Sequence, residues 1–110
     1  MIDNPVQVER LLAALRASLP LPASIAPQST TMIARQVPDV DARGSFRVTR
    51  ADNAGDEGGI MCRLEQEGKE DAGLYISITH LSFDRKVPLA REIGAYQKHR
   101  INRLRRHGSV

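Results

Sequence analysis

Residues 45–83 read SFRVTRADNAGDEGGIMCRLEQEGKEDAGLYISITHLSF, and their punctuation decides the fold. In the first segment, 45–52, Phe46 and Val48 alternate with Arg47 and Thr49. Asn53–Gly58 reads as a turn. Across 59–66, Ile60, Cys62 and Leu64 fall on one side, and Met61, Arg63 and Glu65 on the other. Gly68–Gly73 turns the chain again. The last segment, 74–83, sets Leu74, Ile76, Ile78 and His80 against Tyr75, Ser77, Thr79, Leu81 and Phe83. A period of two broken by short polar turns predicts an antiparallel meander.

The flanks of that meander read as helices. Upstream, Asn4-Pro5 supplies a capping side chain and then a proline at the first helical position, where a missing N–H costs nothing. Val8, Leu12, Leu15 and Leu19 recur at helical spacing, Leu11 widens the stripe, and Pro20 and Pro22 end it. Downstream, Pro88 opens a helix that runs to about Arg106, with Gly108 as its stop. At 100° per residue, Leu89, Ala90, Ile93, Tyr96, Ile101 and Leu104 share one apolar sector. Arg91, Lys98 and Arg105 form a row at seven-residue spacing on the far side, and His99, Arg103 and Arg106 fill an adjacent polar sector. Arg100 stands at the apolar edge, where its stem is expected to lie along the core and its head to reach water.

Residues 20–44 carry Pro20, Pro22, Pro27 and Pro38 and are irregular. Within them, Thr30–Ile33 suits either a short strand or, starting from Pro27, two turns of helix. The strand is slightly favoured because the segment 74–83 carries no charge and would lie on an exposed edge of a three-stranded meander, a position that recruits other chains unless it is covered. A fourth strand, a second copy of the chain, or the basic helix could each cover it. The expected architecture is therefore an α+β domain spanning residues 1–110, in the order α-β-β-β-α. Its sheet is a three- or four-stranded antiparallel meander, with the N-terminal and the basic C-terminal helix on one face. Its predicted core is Val8, Leu12, Leu15, Phe46, Val48, Ile60, Cys62, Leu64, Ile76, Ile78, Leu89, Ile93 and Ile101. The order helix, meander, helix resembles that of double-stranded-RNA-binding domains, whose final helix has a basic start comparable to Arg85-Lys86 here. The lysine cluster of those domains is absent, and the 25-residue connection after the first helix is foreign to them.

Composition narrows the function classes. The 110 residues make one ordinary domain, 41% hydrophobic and 26% charged, which argues against wholesale disorder. Phe46, Phe83, Tyr75 and Tyr96 are the four aromatic residues, so a base-stacking platform of several rings is not expected. One cysteine, Cys62, excludes an internal disulfide framework and a four-cysteine metal site. No apolar run is long enough to span a bilayer, and no membrane partner is expected. The leucine-rich stretch 11–19 is followed by the small residues 23–26, as in a signal peptide. Asp3 and Glu9 stand where such a peptide needs positive charge, however, and Arg10 and Arg16 interrupt it. A cytoplasmic location, compatible with a free thiol, is the expectation.

Charge is strongly segregated. Residues 1–84 hold eight Lys and Arg against twelve Asp and Glu, a net of −4; residues 85–110 hold eight against Glu92 alone, a net of +7. The acidic side chains Asp52, Asp56, Glu57, Glu65, Glu67, Glu70 and Asp71 gather on the hairpin turns and central strand. The basic tail admits three readings: a solvated helix face, a phosphate-binding face on nucleic acid, and a docking face for an acidic protein or a second copy. Its six arginines to two lysines favour bidentate contact with phosphate or carboxylate.

The other candidates for chemistry each have a plainer explanation. Cys62 and His80 share face parity on neighbouring strands, but their companions are core residues and no acid orients the imidazole. His80, His99 and His107 lack ligand spacing, so no metal site is predicted. Gly55-Asp56-Glu57-Gly58-Gly59 is too acidic for a phosphate cradle and has no helix behind it. Ser77, Thr79 and Ser82 are routine strand hydroxyls. The expectation is a non-enzymatic binding module without cofactor, small-molecule ligand or catalytic residues. Arg91, Lys98, Arg103, Arg105 and Arg106 are its anion contacts, with nucleic acid the first choice of partner. The alternative is a self-associating, homodimeric interaction subunit.

Overall fold

The computed structural model of the protein describes residues 5–55 and 58–108, with side chains described except at 69–72 and 106–108. Several features read from the sequence lie outside this range: Asp3 and the Asn4 cap, the carboxylates of Asp56 and Glu57, those of Glu70 and Asp71, and the Arg106 and His107 side chains. The described chain runs α1 (Pro5–Ser18), β1 (Leu21–Ile25), α2 (Thr30–Gln36), β2 (Phe46–Asn53), β3 (Ile60–Gln66), β4 (Lys69–Ser77), β5 (Leu81–Ser82) and α3 (Ala90–Gly108). Short 3-10 turns at Pro27–Ser29 and Ile78–His80 precede α2 and β5. The molecule is an α+β domain, and none of its described helices is long and apolar enough to cross a membrane.

The central meander forms as the alternation dictates, but the sheet is wider than three or four strands. Five antiparallel strands lie in the order β4-β3-β2-β1-β5. The added inner strand comes from Leu21–Ile25, not from Thr30–Ile33. Leu21, Ala23 and Ile25 are buried and Pro22 and Ser24 exposed, a period-two pattern hidden by the prolines. Pro22 is tolerated because β5 pairs only with Ser24 and Ile25, leaving β1 open on that side at Pro22. Thr30–Gln36 is helical: Pro27 starts a 3-10 turn, the Thr30 hydroxyl donates to its carbonyl, and Ile33 is the single buried anchor. The resulting order, α-β-α-β-β-β-β-α, departs from that of double-stranded-RNA-binding domains.

Segment 74–83 is not one strand. It splits into the end of β4, the turn 78–80, and β5 at the opposite edge of the sheet. Four extended residue steps reach about 14 Å. A flat five-stranded sheet would set its edge strands about 19 Å apart. The sheet therefore curls, and the turn 78–80 draws its two edges together. The second hairpin is also tighter than the expected Gly68–Gly73 turn. Gln66 pairs with Lys69, and Gly68, at φ 80°, closes the loop in two residues.

A single core fills the space between the sheet and the three helices. Of the predicted core, Leu89 and Ile101 are only half-buried, and the rest are buried. A bulge at Thr49 shifts the register of β2, so Ala51 faces the core and Arg50, which strict alternation would have buried, stays outside. Arg100 departs from expectation in the other direction. Its side chain is 1% exposed, so the head does not reach bulk water. Helix α3 also starts two residues later than Pro88, because Leu89 adopts a left-handed φ of 69° that no helix can continue through.

Candidate functional site

The basic helix is held by polar contacts at its core-facing side. The Gln97 side-chain amide donates to the carbonyls of Ile78 (2.7 Å) and Leu81 (2.8 Å), tying α3 to the turn that joins the sheet edges. The Tyr96 hydroxyl accepts from the Ile60 N–H at 3.1 Å. With Ile93 and Arg100 buried beneath, the opposite side of α3 faces solvent. Arg91, Lys98 and Arg105 are exposed there, roughly 120–160° around the helix from Ile93. Seven residues rise about 10.5 Å, so the row spans about 21 Å along the axis.

The five predicted anion contacts do not share one face. Arg103 is half-buried and lies roughly 120–160° around the helix from that row, while Arg106 belongs to the last turns of α3. Asp52 bonds Arg16 (3.3 Å) and Arg50 (2.9 Å), and Glu65 lies 3.9 Å from Arg47. These carboxylates thus serve arginines of α1 and β2. Arg91 and Lys98 make no ion pair among the described residues. Partial burial raises the Asp52 carboxyl, but bonds from Tyr75 and Arg50 and the charges of Arg50 and Arg16 outweigh it, leaving it below the usual carboxylate value.

Cys62 and His80 are not partners. Cys62 sits opposite Ile76 in the sheet, and burial, with a smaller push from Asp52, raises its thiol to about 12. At neutral pH it is protonated and poorly nucleophilic. His80 lies in the turn beyond β4, where its Nδ1 is 2.9 Å from the hydroxyl of Ser29. A serine–imidazole pair is nucleophile geometry in principle. Here Ser29 is buried, neither residue lines the clefts beside α1 or α2, and no described carboxylate bonds the ring. The pair bridges the start of α2 to the sheet-closing turn, and burial lowers the His80 pKa. Among the described residues no three His, Cys, Asp or Glu side chains gather into a metal site.

Two clefts of similar size lie among the described residues. One, of about 460 Å³, lies between α1 and α3; the other, of about 470 Å³, lies between α2 and residues 38–43. The first was not predicted, although Leu11 widening the α1 stripe is its trace in the sequence. Comparison with protein-family models, with curated proteins and with solved structures finds no match to this chain.

Proposed function

We propose that the protein is a non-enzymatic binding module that presents the outer side of α3 to an anionic partner, with nucleic acid the first candidate. The supporting observation is the solvent-facing row Arg91, Lys98 and Arg105, carried on a tail of net charge +7. Such a row meets phosphates without reading sequence, so affinity is expected to be similar for unrelated sequences and steeply dependent on salt. The test is a titration with generic RNA and DNA at 50 and 200 mM salt, illustrative concentrations of roughly the range over which counterion release is measured. Replacing Arg91, Lys98 and Arg105 together by alanine is expected to reduce the salt slope by about 3, near one per lost phosphate contact. Absence of binding at the lower salt, or a triple variant that binds unchanged, overturns the reading.

Self-association is the second reading, favoured by the position of β4. It is an edge strand, and its segment 73–77 is uncharged. Sedimentation as a monomer at high protein concentration overturns it.

A further inference from the structure

The cleft between α1 and α3 differs in kind from its neighbour. The cleft beside α2 is walled by Thr30, Thr31, Arg35, Asp41 and Arg43, groups that water satisfies. Between α1 and α3, Val8, Leu11 and Ala14 face Leu89, Ala95 and Tyr96, an apolar lining that gains nothing from water. Its volume of about 460 Å³ falls within the span typical of small-molecule sites. Two of its walls are rigid. The Tyr96 hydroxyl is engaged with Ile60, so the ring is fixed, and Leu89 carries its side chain on a left-handed backbone that glycine would adopt without strain. Backbone strain of this kind concentrates at ligand sites.

Charge at the rim selects the ligand. Arg10 on α1 and His99 on α3 line the cleft as hydrogen-bond donors, and Glu92 is the only acid among its described lining residues. Arg10 makes no ion pair among the described residues. Along α3, Glu92 and His99 are separated by about 10.5 Å of rise, so an anionic head belongs at the His99 end. We infer that this cleft binds a small amphiphile, an apolar body within the α1–α3 groove and a carboxylate held by Arg10 and His99.

Calorimetric titration of the full chain with decanoate, decanol and decyltrimethylammonium tests this. Decanoate is expected to bind saturably at one site, at least tenfold more tightly than decanol, and the cationic amphiphile more weakly still. Ala95→Trp, at an exposed helical position, fills the cleft and is expected to abolish binding with the melting temperature kept. Arg10→Gln is expected to erase the preference of decanoate over decanol. The Arg91, Lys98 and Arg105 triple alanine variant should bind decanoate within threefold of the parent, which separates this site from the outer row of α3. The inference is overturned by no saturable decanoate binding, by equal affinity for all three probes, or by binding that survives Ala95→Trp. A ligand-free dimer that Ala95→Trp dissociates would assign the cleft to a second copy and equally defeat it.

Discussion

Gly59 stands where two demands on one residue meet. Its φ of 65° lies in the left-handed region, and a Cβ there would come 2.8 Å from Nε and 2.9 Å from Cδ of Arg100 and would press on the Tyr96 hydroxyl. Arg100 is buried and has no room to withdraw, so the contact cannot be relieved cheaply. Gly59→Ala is expected to cost about 2–4 kcal/mol, combining backbone strain with overpacking, as read from urea denaturation. Gly55→Ala, whose backbone has a similar φ of 71° in open space, serves as the control and should cost about 1 kcal/mol. Equal losses at the two positions would mean that the approach of α3 to the first hairpin does not matter. The same scale separates Gln66 from its surface neighbours. Its buried amide accepts from Asp41 N–H (2.9 Å) and donates to Asp41 C=O (2.8 Å), fastening the connection after α2 to the sheet. In the sequence Gln66 differs from Glu65 and Glu67 by its neutral amide and by the strand parity that points it inward, but neither says that Asp41 is its partner.

Helix α3 depends on Gln97 in the same way that the sheet depends on its turn. The carbonyls of Ile78 and Leu81 both lie on the short link between β4 and β5, and one side-chain amide satisfies them. Gln97→Ala is expected to cost about 1–3 kcal/mol, because two acceptors lose a donor in a half-buried place. Gln97→Glu is expected to cost more above the carboxylate pKa, since it turns a donor toward two carbonyls into a charge that repels them. Hydrogen exchange should show faster opening at 78–82 in both variants. Unchanged protection there would detach α3 from the closure of the sheet. The amphipathic pattern of α3 and its basic row were legible from spacing alone. Its tether was not, because a glutamine at a helical position carries no sign of which carbonyls await it.

Across the whole molecule, curling lets a short sheet enclose its core, and His80 reports on the integrity of the closure. Its folded pKa is depressed by burial, so its share of stability is fully present above the unfolded value of about 6.5 and is lost as pH falls through the folded one. Thermal melts are expected to show a falling melting temperature as pH drops from 7 to 5 (roughly the histidine titration window), with His80→Gln flattening that part of the profile. A variant that keeps the parent slope would remove His80 as the cause. Asp52, depressed in the fold by Tyr75, Arg50 and Arg16 against its partial burial, adds a second loss at lower pH, as the solution falls through its lowered value.

Period-two alternation in 45–66 and the stripes of α1 and α3 determined the meander, the flanking helices and nearly all of the predicted core. These are local patterns, and burial of one face enforces them wherever the chain goes. The separation of an acidic body from a basic tail was likewise present in the residues themselves. Only the tertiary structure decided that Leu21–Ile25 is a strand, that 74–83 divides between opposite sheet edges, and that Arg100 goes inside. Each of these depends on partners distant in the chain: β1 needs β2 and β5 beside it, and Arg100 needs the missing side chain of Gly59. The groove between α1 and α3 belongs to the same class, since two helices define it jointly and neither one encodes the gap.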